Sequence, residues 1–137
     1  METRGSVDRQ DRGAPALEPF AIAYRHEGDW TVLDIRGDLD VYSSPTLRHL
    51  ILDCINRGDS KMIVDLERVD FLDSAGVAVM VSGLKLASDW DATLVFVQPG
   101  GQVRRMLKLT HLDKVLHTFT TVEDAISLRP PGMGAKT

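Results

Sequence analysis

The sequence predicts an α/β fold with a mixed β-sheet of four to five strands and about four α-helices. From Met62 onward, short apolar runs alternate with segments of helical periodicity, which is typical of right-handed βαβ crossovers and a parallel sheet. Before Met62, two runs of alternating apolar residues flank Glu27-Gly28-Asp29, which predicts a β-hairpin. The hairpin adds an antiparallel part to the sheet.

The elements of the first half follow from apolar spacing and turn residues. The hairpin strands are expected over 20–24 and 30–36, where apolar and polar residues alternate. Ser44 before Pro45 predicts the N-cap and first residue of a helix that ends at Gly58. The apolar residues of this helix recur on one face and are Leu47, Leu50, Ile51, Cys54 and Ile55.

The second half continues as strands and helices in alternation. The sequence predicts a strand over 62–66, a helix over 74–88, a strand over 92–97, a helix through Val103, Met106 and Leu107, an edge strand over 116–120, and a last helix. Thr121 with Asp124 three residues later is similar to a capping box and predicts where that last helix begins.

Length and composition indicate one domain. The chain has 137 residues, of which 43% are hydrophobic, and this is enough for a core without disulfides. We expect the domain to span residues 20–128. Residues 1–19 and 129–137 mix charges with Gly and Pro without periodicity, so we expect them to be flexible tails.

The single cysteine and the lack of a long apolar run bear on the cellular compartment of the protein. Cys54 lies on the apolar face of a predicted helix, so we expect a buried structural thiol rather than a nucleophile. No apolar run approaches the roughly 18 residues of a membrane span, and the N-terminus is unlike a signal peptide. We therefore expect a soluble cytoplasmic protein that does not contact a membrane.

The negative net charge argues against direct binding to nucleic acid. The formal net charge is −4 at pH 7, whereas nucleic-acid phosphates are bound by basic patches. We therefore expect no direct contact with nucleic acid, and any role in transcription would act through another protein.

Ser74 stands where an apolar strand is predicted to pass into an apolar helix. Helix N-termini carry unpaired N–H groups and partial positive charge, so a phosphate added to a serine there would be accommodated. From position alone, an N-cap role for Ser74 or Asp73 is the more common interpretation.

A resemblance to a known family favours the interpretation of Ser74 as a phosphorylation site. Asp73-Ser74-Ala75-Gly76 resembles the Asp-Ser-(Ser/Thr/Ala)-Gly motif of the STAS family, whose members include bacterial anti-sigma-factor antagonists. Four further segments resemble the family in the same order, within residues 20–128: 37–40, 63–66, 109–115 and 121–125. Two positions depart from the pattern: Ala75 stands where many members have a second hydroxyl, and His111 replaces a glycine.

The resemblance implies the STAS fold and a regulatory function. An unmodified Ser74 would let the domain bind a serine kinase that is also an anti-sigma factor, which frees a sigma factor for transcription. Phosphorylation of Ser74 would abolish this binding, and a serine phosphatase would restore it. The alternative within the family is a STAS subunit of a larger stress-sensing scaffold. We expect a monomer or weak dimer without a cofactor.

The family also implies roles for aspartates near Ser74. Asp40 and Asp73 are expected to flank the serine and help present it to the kinase, with Ala75 and Gly76 in the same contact region. Asp38 and Asp70 fit solvated turn positions better. Mg²⁺ brought with the kinase's ATP could use these carboxylates, but no metal site of the protein's own is indicated.

The helix after Ser74 carries two apolar stripes. We expect one stripe, Val77, Val81 and Leu84, to face the core, and the other, Val79, Gly83 and Leu86, to contact the partner. The alternative is a helix that is buried on both sides.

The sequence gives little support for catalysis. Ser74 lacks the Gly-x-Ser-x-Gly spacing of a nucleophile elbow, and no phosphate-binding glycine loop is present. The four histidines have no paired spacing typical of metal ligands. We therefore expect no enzyme, and a serine hydrolase that uses Ser74 is a remote alternative.

Overall fold

The computed structural model describes residues 19–98 and 100–128. The strands are β1 (Ala21–Glu27), β2 (Trp30–Leu39), β3 (Lys61–Leu72), β4 (Thr93–Val97) and β5 (Thr118–Phe119). The helices are α1 (Ser44–Asn56), α2 (Ser74–Asp89), α3 (Gly101–Leu109) and α4 (Val122–Leu128), with a short 3-10 helix at Leu112–Lys114. The expected tails over 1–19 and 129–137 lie outside the described residues, apart from Pro19.

The strands form one mixed sheet in the order β1-β2-β3-β4-β5. β1 runs antiparallel to β2, whereas β2, β3, β4 and β5 run parallel to one another. The prediction of a mixed sheet with about four helices is therefore confirmed.

β3 is longer than the sequence predicted. The expected strand over 62–66 continues to Leu72, and β2 follows it to Leu39 through two register shifts. Exposed Glu67 and Arg68 interrupt the apolar run, which explains why the pattern stops short. The last residues of β2 and β3 thus form a two-stranded extension beyond the end of β4.

The helices cover the two faces of the sheet unequally. On one face, α1, α2 and α3 pack against the larger core, whose fully buried members include Leu33, Ile51, Met62, Met80 and Phe96. On the other face, α4 places Val122 and Ala125 against a smaller cluster with Trp30, Val32, Ile63, Val95 and Val97. Cys54 is buried in the larger core, as predicted.

Two glycines on the buried face of α2 let the helix approach its neighbours. A Cβ added to Gly76 would collide with the backbone carbonyl oxygen of Leu39. A Cβ added to Gly83 would lie 2.9 Å from Cδ1 of Ile51 and 3.4 Å from Cδ2 of Leu94. The first obstacle is a rigid backbone, whereas the second is the flexible end of a side chain.

We therefore predict that Gly76→Ala and Gly83→Ala differ in stability. Gly76→Ala should lower the free energy of unfolding by about 1–3 kcal/mol or more, because backbone must move to relieve the overlap. Gly83→Ala should stay within about 1 kcal/mol of the wild type, since better helix propensity offsets a small side-chain shift. Urea denaturation of both variants tests this, and an equal loss in both would contradict it.

Asp65 is the buried acid of the sheet. It is 4% exposed, lies two residues after Ile63 on the α4 side of β3, and pairs in register with Asp34 of β2. Burial raises the pKa of the Asp65 carboxyl, and the nearby carboxylates of Glu67 and Asp34 raise it further. The backbone N–H of Glu67, 3.0 Å from Oδ1 of Asp65, opposes this rise in pKa. The ionised carboxylate is thus less favourable in the folded chain than in the unfolded one.

The sign of this shift predicts a pH dependence of stability. Because the folded pKa of Asp65 is raised, its contribution to stability should fall as pH rises from the unfolded value of about 3.9 through the folded value. Asp65→Asn keeps an acceptor for the Glu67 N–H and removes the titration. The variant should therefore lose less stability between pH 4 and 7, and be more stable than wild type at pH 7. Urea denaturation across this range tests it; parallel curves would contradict it.

Candidate functional site

The loops after β2 and β3 lie side by side at one edge of the sheet. The two strands run parallel and end in register, with Leu39 opposite Leu72. The N–H of Asp73 donates to the carbonyl oxygen of Leu39 over 3.3 Å. The loop over 40–43 and the turn that begins α2 are therefore neighbours.

Asp73, and not Ser74, is the N-cap of α2. Oδ1 of Asp73 accepts a hydrogen bond of 2.9 Å from the N–H of Gly76, and the Asp73 backbone is extended. Ser74 is the first helical residue, is exposed, and its hydroxyl forms no hydrogen bond with the described residues. The cap leaves the serine oxygen available at the start of the helix.

The start of α2 is electrostatically suited to an anion on Ser74. The helix is 16 residues long and has no acidic residue in its first turn. Its aligned peptide dipoles and unpaired N–H groups place partial positive charge at this end. Ala75 is half-buried and Gly76 is buried, so these two predicted site residues position the turn beneath the exposed Ser74.

Asp40 holds the neighbouring loop. Its Oδ1 accepts hydrogen bonds from the N–H of Tyr42 at 3.0 Å and of Ser43 at 3.1 Å, and from the Ser43 hydroxyl at 3.1 Å. The buried Ser43 oxygen also lies 2.7 Å from the carbonyl oxygen of Asp38 and accepts from the Asp40 N–H at 2.9 Å. Asp40 therefore shapes the loop that stands beside Ser74.

Sequence reasoning missed the role of Ser43. It is the N-cap of α1, one residue before the predicted cap at Ser44. Its hydroxyl bonds back into the loop and not onto the helix, so a capping pattern alone does not find it. An aspartate three residues before a serine is the available signal, because both residue types close tight turns.

The four aspartates do not form a metal site. Within residues 19–98 and 100–128, no group of three or more His, Cys, Asp or Glu side chains could hold a metal ion. Asp38, Asp40 and Asp73 are half-buried, and Asp70 is exposed. Asp38 and Asp70 lie in strands β2 and β3 and not in turns as expected, whereas Asp40 and Asp73 belong to the two neighbouring loops at this edge of the sheet.

The structure contradicts the prediction that one apolar stripe of α2 is exposed. Val79 is 6% exposed, Gly83 is buried, and Leu86 packs against the core, so the stripe expected to be exposed is not. In the stripe expected to face the core, Val81 is 39% exposed. The prediction that Val79, Gly83 and Leu86 form an exposed surface is therefore wrong.

Helix geometry explains why both apolar stripes are largely buried. Met80 and Ala87 lie at the centre of the buried face of α2, on the same side as Gly83. The two predicted stripes are the two flanks of this one wide face, because partly buried Val77 and Leu84 pack on one side and Val79 with Leu86 on the other. The helix is therefore buried along one wide face that includes most members of both stripes, so neither a separate exposed stripe nor burial on two opposite sides is correct.

Large apolar side chains are nevertheless exposed near Ser74. Tyr42 is 87% exposed and Val41 58% exposed in the loop over 40–43, while Phe71 is 44% exposed near the end of β3. These side chains leave apolar area in solvent at this edge of the sheet, and that area is available to a partner. The sequence signal was Val41-Tyr42 inside a polar turn.

Within residues 19–98 and 100–128, no helix is both long enough and apolar enough to cross a bilayer.

One known protein family matches most of this chain. A family model described as the STAS domain matches residues 21–125, which is most of the chain. The chain belongs to the STAS-domain family. Residues 73–76, which resemble the family's motif, lie within the matched range, and His111, at a position where the sequence departs from the resembled pattern, adopts the left-handed conformation with φ 61°.

Known proteins similar to this STAS domain carry regulatory names. The anti-sigma-B factor antagonist of Staphylococcus aureus is 29% identical over 83 residues, which cover 61% of this chain and 77% of that protein. An anti-sigma factor antagonist from Mycobacterium paratuberculosis has a crystal structure with a TM-score of 0.72 and 24% identity, covering 83% of this chain and 97% of that one. The Bacillus cell fate determinant SpoIIAA, in its phosphorylated form, gives a TM-score of 0.60 at 22% identity, covering 78% and 97%. The two structures establish a shared fold.

The hydrogen bonds of Asp40 predict graded effects on stability. Asp40→Ala should lower the free energy of unfolding by about 1–2 kcal/mol, and the melting temperature by several degrees, because the backbone N–H groups of Tyr42 and Ser43 lose their acceptor. Asp40→Asn retains Oδ1 and should lose less. Asp70→Ala, at an exposed aspartate of the same edge, is the control. If Asp40→Ala lowers the melting temperature no more than Asp70→Ala does, the structural role of Asp40 is contradicted.

Proposed function

We propose that this STAS protein is an anti-sigma factor antagonist whose regulatory phosphoacceptor is Ser74. The observation that carries the proposal is the exposed Ser74 hydroxyl at the first position of α2, free of hydrogen bonds with the described residues and held by the Asp73 cap. The regulatory names of the similar proteins support the same function. Structures of SpoIIAA represent an unphosphorylated and a phosphorylated form of that protein.

The unphosphorylated protein would bind an anti-sigma factor through the edge that carries Ser74. Tyr42, Val41 and Phe71 supply exposed apolar area on this edge. Aromatic side chains of this kind contribute much of the binding free energy when a partner covers them. Occupying the anti-sigma factor releases the sigma factor, which is then available for transcription.

Phosphorylation would proceed by transfer from ATP bound to the anti-sigma factor. A bond forms between Oγ of Ser74 and the γ-phosphorus, the bond from that phosphorus to the ADP oxygen breaks, and the hydroxyl proton passes to a base of the kinase. Asp73 contributes by fixing the turn, since its Oδ1 is bonded to Gly76. Asp40 contributes by shaping the loop beside it. Both roles are positioning roles.

The phosphate would weaken binding through charge and desolvation. It adds about −1.5 to −2 charge units next to Asp40 and Asp73, and a partner that covers it must remove its water. The positive end of α2 compensates part of this charge, so the fold should persist. Hydrolysis of the phosphoserine by a serine phosphatase would return the binding form.

The alternative functions have less support. A hydrolase needs a histidine to activate Ser74, and no histidine forms a hydrogen bond with it among the described residues. A scaffold subunit would use the same STAS domain, but its distinguishing feature would be a further domain, and no feature of the described residues favours it.

Substitution of Ser74 tests the proposal. The purified chain is incubated with ATP and with each anti-sigma factor of the source organism, and the products are mapped by mass spectrometry. We expect phosphate on Ser74 only. Ser74→Ala should bind the anti-sigma factor constitutively, whereas Ser74→Asp should bind at least tenfold more weakly, with melting temperatures near that of the wild type.

Ser88 is the matched control for Ser74. It is an exposed serine near the other end of α2. Ser88→Ala and Ser88→Asp should both be phosphorylated on Ser74 and bind like the wild type. Phosphate on another residue with Ser74 unmodified, or equal binding by Ser74→Ala and Ser74→Asp, would refute the proposal.

A further inference from the structure

A groove runs between α1 and α2 beside Ser74. It has a volume of about 350 Å³ and opens to the surface. Pro45 and Arg48 line it from α1, and Ala75, Ala78 and Ser82 line it from α2. This groove cannot be predicted from the sequence, because it depends on how two helices pack.

The groove exists because α2 presents small side chains to α1 at helical spacing. Ala75, Ala78 and Ser82 recur at intervals of three and four residues and share one face of α2. The helices touch farther along, where Gly83 meets Ile51. Between that contact and the start of α2, the short side chains leave open space between the helices. Val79 also lines this space and is 6% exposed.

The groove is continuous with the surface around Ser74. Ala75 follows Ser74 directly, and Pro45 lies just after the loop that Asp40 holds. A protein bound over Ser74 would therefore lie beside the end of the groove that Ala75 lines.

Arg48 gives the groove a charge preference. It is exposed and forms no ion pair with a carboxylate of the described residues. An unpaired guanidinium beside an apolar surface favours an apolar side chain that is accompanied by a carboxylate, since arginine binds carboxylates through two parallel hydrogen bonds.

We propose that this groove is a docking site for an apolar side chain of the anti-sigma factor, next to an acidic residue that pairs with Arg48. The proposal rests on the proposed function and adds a second anchor to it. Ser74 and its phosphate control one part of the interface, whereas the groove supplies contacts that phosphorylation does not modify. A single large side chain in a pocket of this size is the usual form of an interface anchor.

Filling the groove tests the apolar part. Ala78→Phe places a ring in the groove from an exposed position, and Ser82→Leu fills it from farther along α2. Val81→Phe is the matched control, because Val81 is an exposed residue of the same helix outside the groove. With the Ser74→Ala background to exclude phosphorylation, calorimetry should show at least tenfold weaker binding for the two filled variants and less than threefold change for Val81→Phe.

Reversing one charge tests the acidic part. Arg48→Glu should weaken binding at least tenfold, because two carboxylates would then face each other. His49→Glu changes the next residue of α1, which is exposed and does not line this groove. It should have less than threefold effect. Circular dichroism must show wild-type melting for all variants that are compared.

A partner-independent measurement separates this proposal from the proposed function. The ¹⁵N-labelled chain is titrated with the dipeptide acetyl-Leu-Glu-amide at millimolar concentration, and amide shifts of Ala75, Ala78 and Ser82 are followed by NMR. Shifts in the wild type that Ala78→Phe abolishes support the groove even if no anti-sigma factor binds. The groove proposal is overturned if filled and control variants bind the anti-sigma factor alike, if Arg48→Glu binds like the wild type, or if, without a binding anti-sigma factor, the dipeptide shifts none of these amides.

Discussion

The approach of Gly76 to the carbonyl oxygen of Leu39 is the constraint on which the site depends. No side chain fits between these two backbones, so the start of α2 is pressed against the end of β2. The bond from Asp73 N–H to the same carbonyl adds a polar link at this point. The loop that Asp40 shapes and the serine that Asp73 presents are thereby fixed relative to each other. Loops that move independently would not form one binding surface.

The packing of α2 at this contact also explains how a charge on Ser74 can be accommodated without destabilising the fold. The buried face of α2 carries Gly76, Met80 and Gly83, while Ser74 is exposed on the helix. A charge introduced at Ser74 therefore meets solvent and the helix dipole instead of the core. Stability is carried by one side of the helix and the proposed phosphoacceptor lies on the other, so the proposed modification and the stability of the fold are nearly independent.

The order of strands and helices could be predicted from the sequence because each element carries its own period and its own boundary residues. The N–H of Asp124 does bond to the Thr121 hydroxyl at 3.0 Å, as a local pattern predicts. The length of β3 and the burial of the stripes on α2 could not be predicted, because both depend on neighbouring elements. Val79 and Val81 are the same residue type two positions apart, and only packing against α1 and the sheet decides which is buried.

The exposed positions around Ser74 have a consequence for cells with several related switches. Tyr42, Arg48 and Ala78 lie at the surface, so they can change identity with little effect on the folded core. The motif around Ser74 cannot vary as freely, since Gly76 is confined by the Leu39 backbone. Under the proposed function, duplicated copies of such a chain can keep one phosphorylation chemistry while diverging in partner choice. Selectivity between parallel signalling pathways would then depend on the variable surface positions and not on Ser74 itself.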